Sequence, residues 1–321
     1  MIGPYDHFQA QRGVATARDT VKSIAGYETD PVSWINMVAG LRFPFFDWVL
    51  KGGPRPPLLV DRVNYEVMGA NVWRHAPSIA AMSNGTLRFY LNPASPHGPL
   101  SVRGSSPPDP LSLRESSPLT PSPVRRGGDA NVYRLSRVRA LADSAVTLRV
   151  DLANRGDVDT ILPGGAVRDS AVNSYLALEY VSDPITEPLE VSGLYFGHLE
   201  FVTNKRDFDL GAQLFELTPD GHYLQLPPFQ VRASYNRDPS TRRLLTPGKR
   251  DALDFTAQRL ISWKLERGSR IVLVIGPIKW PGQQINYGSG KDVTDETVQD
   301  AGAPLEIRWF GGSYVELPVR R

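Results

Sequence analysis

Histidine is the side chain best suited to acid–base chemistry near neutral pH, and this sequence holds five, at positions 7, 75, 97, 198 and 222. His7 differs from the others in its neighbours, because Gly3-Pro4 just before it favours a sharp exit from a strand into a loop. A loop imidazole at the top of a sheet can act as general base toward a serine and later protonate the leaving group. In serine hydrolases of the α/β type the order along the chain is nucleophile, acid, histidine. If His7 is catalytic in this way, the serine and the acid must precede it, and this chain is the back half of an enzyme.

The sequence gives little support for a thiol or serine nucleophile within this chain, or for a metal-binding site. The chain has no cysteine, which excludes disulfides, zinc thiolate sites and thiol nucleophiles. It has no G-x-S-x-G element, and no two histidines have the i, i+4 spacing of a helical metal pair. We expect His198 to lie within a strand as a packed or surface histidine, and His97 and His222 to lie in loops without a catalytic partner.

Two segments resemble ligand-binding loops only in part. Gly288-Ser289-Gly290-Lys291 lacks the first glycine of a phosphate loop, since Ile285 stands there, and Asp292 replaces the required Ser or Thr. The acidic residues Asp292, Asp295 and Glu296 do not have the spacing of an EF-hand, so we expect a solvated acidic loop. The sequence predicts no cofactor and no metal ion.

Composition indicates a soluble globular protein of one large or two ordinary domains. The 321 residues are 41% hydrophobic and 22% charged, and no apolar run approaches the ~20 residues that cross a bilayer. The net charge of +2 is too small to indicate a nucleic-acid partner. We expect neither nucleic acid nor membrane as a partner. The compartment, cytoplasmic or exported, and homo-oligomerisation stay open, and we expect the natural N-terminus to lie upstream of Met1.

The elements that would position His7 fall into two predicted domains, residues 1–57 and 58–321. In the first, residues 32–50 place apolar side chains at helical spacing, interrupted by Gly40 and Pro44. Lys51-Gly52-Gly53-Pro54 predicts the end of this helix, because glycine adopts the left-handed cap and proline cannot continue a helix.

The second domain is predicted to be β-rich. Val63, Tyr65 and Val67 alternate with polar residues that we expect to face solvent, and Asn84-Gly85 predicts a tight turn before the next strand. Further strands are predicted over residues 87–91, 146–152, 175–181, 194–203, 213–218, 270–275 and 305–310, with 270–275 buried on both faces and Pro219-Asp220-Gly221 forming a turn. Many short strands with few helices favour a mainly β fold, a jelly-roll β-sandwich.

A segment rich in proline and serine interrupts this domain at about residues 99–128. Residues 99–123 contain seven prolines and seven serines but four charged residues. Because such a composition cannot bury enough surface to offset the entropy of ordering, we expect a disordered insertion.

Several motifs together resemble the family of CocE/NonD hydrolases, which includes cocaine esterase, X-Pro dipeptidyl-peptidase and α-amino-acid ester hydrolases. Ile2-Gly-Pro-Tyr-Asp-His7 resembles the catalytic-histidine segment of the family, and residues 45–52 (FFDWVLKG) resemble the helix that follows it. Residues 63–74 (VNYEVMGANVWR) resemble the strand leading into the C-terminal jelly roll. Four more segments resemble signatures of that jelly-roll domain: residues 188–193, 205–209, 217–221 and 265–274.

The resemblance covers nearly the whole chain except the Pro/Ser segment, and it implies a specific organisation. Residues 1–57 would be the end of an α/β-hydrolase domain, and residues 58–321 the galactose-binding-like jelly roll that helps shape the substrate pocket. It implies a serine hydrolase of the dipeptidyl-peptidase kind, acting on an acyl ester or peptide, with His7 as general base. The serine and acid would come from an upstream α/β-hydrolase segment, so this chain alone is expected to be inactive, with the apolar face of residues 32–50 uncovered.

Two alternatives stay open from the sequence. A non-catalytic β-sandwich binding module could use aromatic side chains as a stacking platform, with Trp73, Trp263, Trp280 and Trp309 as the candidates. The chain could also be the inactive fragment of a disrupted gene.

Overall fold

Strands dominate the part of the chain that the structure describes. In this computed structural model the described residues are 2, 23–24, 27–28, 37–96, 132–156, 168–169, 172, 174, 176–279 and 282–321. The strands are β1 (Ser23–Ile24), β2 (Tyr27–Glu28), β3 (Val63–Val67), β4 (Val72–Ala76), β5 (Gly85–Pro96), β6 (Val132–Ser136), β7 (Ala145–Val150), β8 (Arg168–Asp169), β9 (Leu178–Ser182), β10 (Leu189–Gly193), β11 (Phe196–Thr203), β12 (Asp209–Leu217), β13 (Tyr223–Gln225), β14 (Phe229–Arg232), β15 (Asp251–Thr256), β16 (Ile261–Leu265), β17 (Arg270–Pro277), β18 (Leu305–Phe310) and β19 (Tyr314–Arg320). The helical elements are a π-helical turn (Met37–Arg42), helix α1 (Phe43–Lys51) and 3₁₀ turns at Ala80–Met82, Ala233–Tyr235, Val293–Asp295 and Val298–Ala301.

Fifteen of the strands form one connected sheet system. Its order is β7-β18-β11-β19-β5-β6-β9-β17-β12-β13-β8, with β10 joined to β19 and β16, β14 to β12, and β15 to β11. Neighbouring strands run antiparallel except for the parallel pair β6 and β9. The strand pairs β1-β2 and β3-β4 form two further two-stranded sheets.

The sheet system folds over on itself around one apolar core. β11 and β12 lie six places apart in the strand order, yet Leu199 of β11 and Leu214 of β12 belong to the same buried cluster. Strands that are distant in the order can share a core only if two layers face each other. This is the mainly β jelly-roll sandwich predicted from the sequence.

β17 is buried on both faces, as its continuous apolar sequence predicts. Ile271 and Leu273 face the main core, while Val272 and Val274 belong to a second buried cluster with Phe215. Alternation alone accounts for β11, where every second residue is buried. The predicted turn at residues 219–221 also forms, with Gly221 at φ 85°.

Helix α1 ends where the sequence predicts. Gly52 takes the left-handed conformation at φ 69°, and the Gly53 N–H donates to the Asp47 carbonyl oxygen over 3.0 Å. The Gly52 N–H donates to the same carbonyl. These bonds belong to a glycine C-cap, which satisfies carbonyls left unpaired at a helix end. The residues before 37 that were expected to continue this helix lie outside the described residues.

Two local predictions are wrong. Asn84-Gly85 makes no hairpin turn, because Gly85 begins β5 and pairs with Val319 at the other end of the chain. The polar residues of β3 do not face solvent, because Asn64 and Glu66 are both buried. In each case a partner far away in sequence overrides the local pattern. The Pro/Ser segment lies outside the described residues, between the end of β5 and the start of β6.

Candidate functional site

His7 lies outside the described residues, and Ile2 is the one described residue before it. Ile2 forms a parallel bridge with Tyr65 of β3. The Ile2 N–H donates to the Asn64 carbonyl over 2.7 Å, and the Glu66 N–H donates to the Ile2 carbonyl over 3.0 Å. Ile2 is therefore paired with one edge of β3 through a one-residue bridge.

The hairpin β3-β4 packs around a small core of its own. Tyr65, Val67, Ala76 and Met82 form a buried cluster separate from the jelly-roll core, and Ile2 packs against it. The Tyr65 hydroxyl donates to the Met82 carbonyl over 3.3 Å, and burial raises the pKa of this phenol. Asn64 and Glu66 are buried on the edge of β3 that bonds to Ile2. Burial on both faces is typical of strands with parallel neighbours, because parallel sheets are covered on both faces.

The hairpin is also joined to the jelly roll. Met68 follows β3, and its N–H donates to the Ser262 carbonyl of β16 over 3.1 Å. The Lys264 N–H returns a bond of 2.8 Å to the Met68 carbonyl. Arg74 of β4 adds a charged contact, its Nε lying 2.9 Å from Glu190 Oε2 on β10.

Helix α1 presents an uncovered apolar face. Leu50 is 73% exposed and Phe46 51% exposed, and Phe43, Phe45 and Val49 are exposed as well. None of the residues of α1 is buried. Single exposed apolar residues are ordinary, but a contiguous group of this kind marks an interface.

An open groove runs between α1 and the segment that follows it. Its volume is about 460 Å³. Phe45, Phe46 and Trp48 line its apolar side, and the Arg55 guanidinium lies 5.3 Å above the Trp48 ring. The rim carries charge, with Arg42, Asp61 and Arg62. The groove and the exposed face of α1 form one surface, which we call the α1 surface.

Two of the four tryptophans considered for a stacking platform are core residues. Trp309 is buried against Phe201 and Phe208. Trp263 is buried, and its indole N–H donates to Glu216 Oε2 over 2.8 Å. This contradicts the platform for both residues and follows the general tendency of large aromatics to fill cores.

Of the other two tryptophans, only Trp73 is described. Trp280 lies outside the described residues. Trp73 is half-buried, and its indole nitrogen has no hydrogen-bond partner among the described residues.

His198 lies within β11 on the sheet surface, as expected. Its Nδ1 is 2.6 Å from Asp254 Oδ1, and its ring stacks on Tyr314 at 5.3 Å between centroids. The Arg88 guanidinium covers Tyr314 at 4.0 Å. Because these groups satisfy one another, His198 is a structural surface histidine.

The two other described histidines, His75 and His222, each lie near a surface carboxylate. His75 lies 3.9 Å from Asp61 at an exposed position, and His222 lies 3.2 Å from Asp220 beside the turn after β12. His97 lies outside the described residues.

The glycine loop at 288–291 binds a carboxylate of the chain itself. The Tyr287 and Ser289 N–H groups each donate to Glu296 over 2.8 Å. These two backbone amides are therefore engaged by the chain itself, and Asp292 accepts the Thr294 N–H as a local cap. Among the described residues no group of three or more His, Asp and Glu side chains is placed to hold a metal ion. No helix in the described ranges is long and apolar enough to span a bilayer.

The sequence did not predict that one edge of β3 bonds both to Ile2 and to β16. Its contacts join Ile2 to residues 64–66 and Met68 to residues 262–264, and pairings so distant in sequence leave no local periodicity. The one available signal was Asn64 and Glu66 within an apolar strand, which is typical of a strand buried on both sides.

Comparisons with known proteins agree with this architecture. The profile of the X-Pro dipeptidyl-peptidase C-terminal non-catalytic domain matches residues 60–303. No curated protein sequence matches the chain.

Solved structures with the same fold cover the chain almost completely. An aminopeptidase from the marine sediment archaeon Thaumarchaeota archaeon has a TM-score of 0.68 at 17% identity, over 99% of this chain and 48% of its own. An α-amino acid ester hydrolase has a TM-score of 0.65 at 17% identity, over 99% of this chain and 49% of its own. A CocE/NonD family hydrolase from Staphylococcus aureus has a TM-score of 0.52 at 14% identity, over 86% of this chain and 44% of its own. The chain thus spans about half the length of these proteins. The family resemblance predicted from the sequence is confirmed.

Proposed function

Because the chain belongs to the family of X-Pro dipeptidyl-peptidase C-terminal non-catalytic domains, we propose that it forms the C-terminal part of a serine acyl hydrolase of the α/β type. In this proposal residues 1–57 end the catalytic domain, and residues 58–321 are the jelly-roll domain that helps to shape the substrate pocket. The serine and the acid come from an α/β-hydrolase segment outside these 321 residues.

The observation that carries the proposal is the α1 surface. Its exposed phenylalanines and leucine form an apolar surface of the kind that is buried against another protein segment. The solved relatives are about twice as long as this chain, so each contains a further segment of about the same length. An α/β sheet is a cover of suitable chemistry, because its helices pack on it through apolar faces.

His7 takes the role of general base in this proposal. Its imidazole accepts the serine hydroxyl proton as the serine attacks the acyl carbon, and then protonates the departing alcohol or amine. Water repeats the sequence to release the acid. Without the serine and the acid, this chain has no turnover of its own.

The names of the solved relatives suggest the acyl group. An aminopeptidase and an α-amino acid ester hydrolase both act on acyl groups that carry an α-amino group. We propose the same substrate class here, with the scissile bond an ester or an amide.

The test is reconstitution of activity. Co-expression of this chain with the polypeptide encoded upstream of Met1 should hydrolyse a chromogenic amino-acyl ester or anilide, and the N-acetylated substrate should react much more slowly. His7→Ala should lower kcat by about 10⁴-fold. His222→Ala, a half-exposed turn histidine, is the matched control and should leave kcat unchanged. Activity that survives His7→Ala refutes its role, and an inactive wild-type pair refutes the proposal.

A further inference from the structure

A cavity on the jelly roll lies where the start of β12, the end of β14 and the segment after β17 meet. Cross-strand pairing places Asp209 of β12 beside Arg232 of β14, and the Ile278 N–H donates to the Asp209 carbonyl over 2.8 Å. Its volume of about 300 Å³ is at the lower end of small-molecule sites, which span about 300–1,000 Å³ and are mostly apolar. Five of its seven lining residues have polar side chains, and we call it the amide pocket after three of them, Gln230, Gln283 and Gln284.

The charged pair in the amide pocket is held in place and sums to zero. The Arg232 guanidinium donates to both carboxylate oxygens of Asp209, from Nε to Oδ1 over 2.8 Å and from Nη2 to Oδ2 over 2.9 Å. Asn286, which is buried, donates from Nδ2 to the same Oδ1 over 3.0 Å. The hydrogen bond to Asp209 raises the pKa of Arg232, so the guanidinium keeps its charge. A ligand in this pocket therefore meets no net charge.

The other polar groups of the pocket include both acceptors and donors. Gln283 Nε2 donates to Gln230 Oε1 over 3.2 Å, while Gln283 Oε1 is buried with no hydrogen-bond partner in the part of the chain that the structure describes. Leaving a buried acceptor without a donor costs free energy, so a donor from a ligand is favourable at this atom. Arg232 Nη1 and the Gln230 amide nitrogen are donors that bond to none of the described residues.

Hydroxyl groups fit this lining, because each hydroxyl both donates and accepts. Adjacent hydroxyls on one ligand can donate to Gln283 Oε1 and accept from Arg232 Nη1. An anion would face the Asp209 carboxylate, a cation would face the guanidinium, and an apolar ligand would leave these groups unpaired. We propose that the amide pocket binds a neutral hexose unit. This site lies wholly within the jelly roll and does not depend on the proposed hydrolase function.

Ligand-observed NMR on the full chain tests the proposal with glucose, galactose and mannose, each as the free sugar and as its methyl glycoside. A ligand of about twelve non-hydrogen atoms should bind with a Kd on the order of 1 mM. A methyl glycoside that binds as tightly as the free sugar supports a site for the end of a glycan chain, and binding of the free sugar alone supports a site for a free sugar. Failure of all six probes to bind at about 20 mM, well above that Kd, overturns the proposal.

Substitutions of glutamine by leucine locate the binding. Gln283→Leu removes the unpartnered acceptor with little change in size and should weaken hexose binding about tenfold. Gln230→Leu changes an exposed position on β14 and should weaken binding as well. Gln225→Leu is the matched control, because Gln225 is a half-buried glutamine of β13 that does not line the pocket, and it should bind like wild type.

Thermal unfolding verifies that each variant is folded, and Gln230→Leu decides the question if Gln283→Leu is not. Wild-type affinity in both folded pocket variants, or equal weakening in Gln225→Leu, overturns the site.

A competing anion tests the neutral character of the pocket. Inorganic phosphate at about 10 mM should not displace the hexose, because Asp209 already neutralises Arg232. Displacement by phosphate overturns the assignment to a neutral ligand. In parallel, the side-chain amide resonance of Gln283, identified by its absence from the spectrum of Gln283→Leu, should shift when the hexose is added. Hexose binding that leaves this resonance unchanged places the sugar elsewhere and overturns the proposal.

Discussion

The α1 surface should bind the α/β-hydrolase segment, and the double variant Phe46→Ser/Leu50→Ser tests this directly. The two residues are four apart and lie on one helical face. Leu50 is 73% exposed and Phe46 51% exposed, so both have apolar area left to bury. Complete burial of a leucine or phenylalanine side chain contributes about 1.5–3 kcal/mol. Covering the exposed parts of both is then worth about 3 kcal/mol, which corresponds to about two orders of magnitude in Kd.

The assay is titration calorimetry of this chain against the separately expressed hydrolase segment. The double variant should bind about 100-fold more weakly than wild type. Its thermal unfolding should stay close to that of wild type, because none of the residues of α1 is buried and serine in place of these residues costs only a few tenths of a kcal/mol each in helix propensity.

A control variant on another surface distinguishes specific docking from non-specific hydrophobic association. Leu141 is 84% exposed in the loop between β6 and β7. Leu141→Ser removes an exposed apolar side chain similar to Leu50 and should leave binding unchanged. Equal binding by the double variant and wild type, or equal weakening by Leu141→Ser, would refute the assignment of the α1 surface.

Two further predictions concern the stability of the jelly roll. Burial raises the pKa of Glu179 above its usual value, so its ionisation opposes folding: the protein should lose stability as pH rises above about 4.5, and Glu179→Gln should raise the melting temperature at pH 7 but not at pH 4. A Cβ at Gly197 would lie 2.2 Å from the Phe255 ring, which cannot swing away because it stacks on Phe229 at 4.2 Å. Gly197→Ala should therefore lower the free energy of unfolding by about 1–3 kcal/mol in urea titrations, whereas Gly211→Ala, whose nearest neighbours are at 3.8 Å, should be tolerated. Equal stability of the two alanine variants would contradict the packing argument.

Much of the fold could be predicted because it follows from local periodicity. Alternation locates β7 and β11, and β18 begins and ends at the predicted residues Leu305 and Phe310. The helix end at Gly52 follows from glycine's access to the left-handed region, which is a property of a single residue. These features require no knowledge of what packs against them.

The errors arise where a distant partner decides the conformation. Gly85 pairs with Val319, so the Asn-Gly signal for a turn is overridden by a strand from the other end of the chain. The candidate site has the same character. The role predicted for His7 stays a prediction. Nothing local to residues 1–7 indicates that Ile2 bonds to the backbone of Asn64 and Glu66.

The separation of the cores explains why each of these tests addresses one property. The jelly-roll core includes residues from β5 to β19, the hairpin keeps its own cluster around Tyr65, and α1 contributes no buried residue to either. A change on α1 therefore alters association without altering the fold, and a change such as Gly197→Ala alters the fold without touching the α1 surface. The hairpin contacts both neighbours, because the same edge of β3 bonds to Ile2 and to β16.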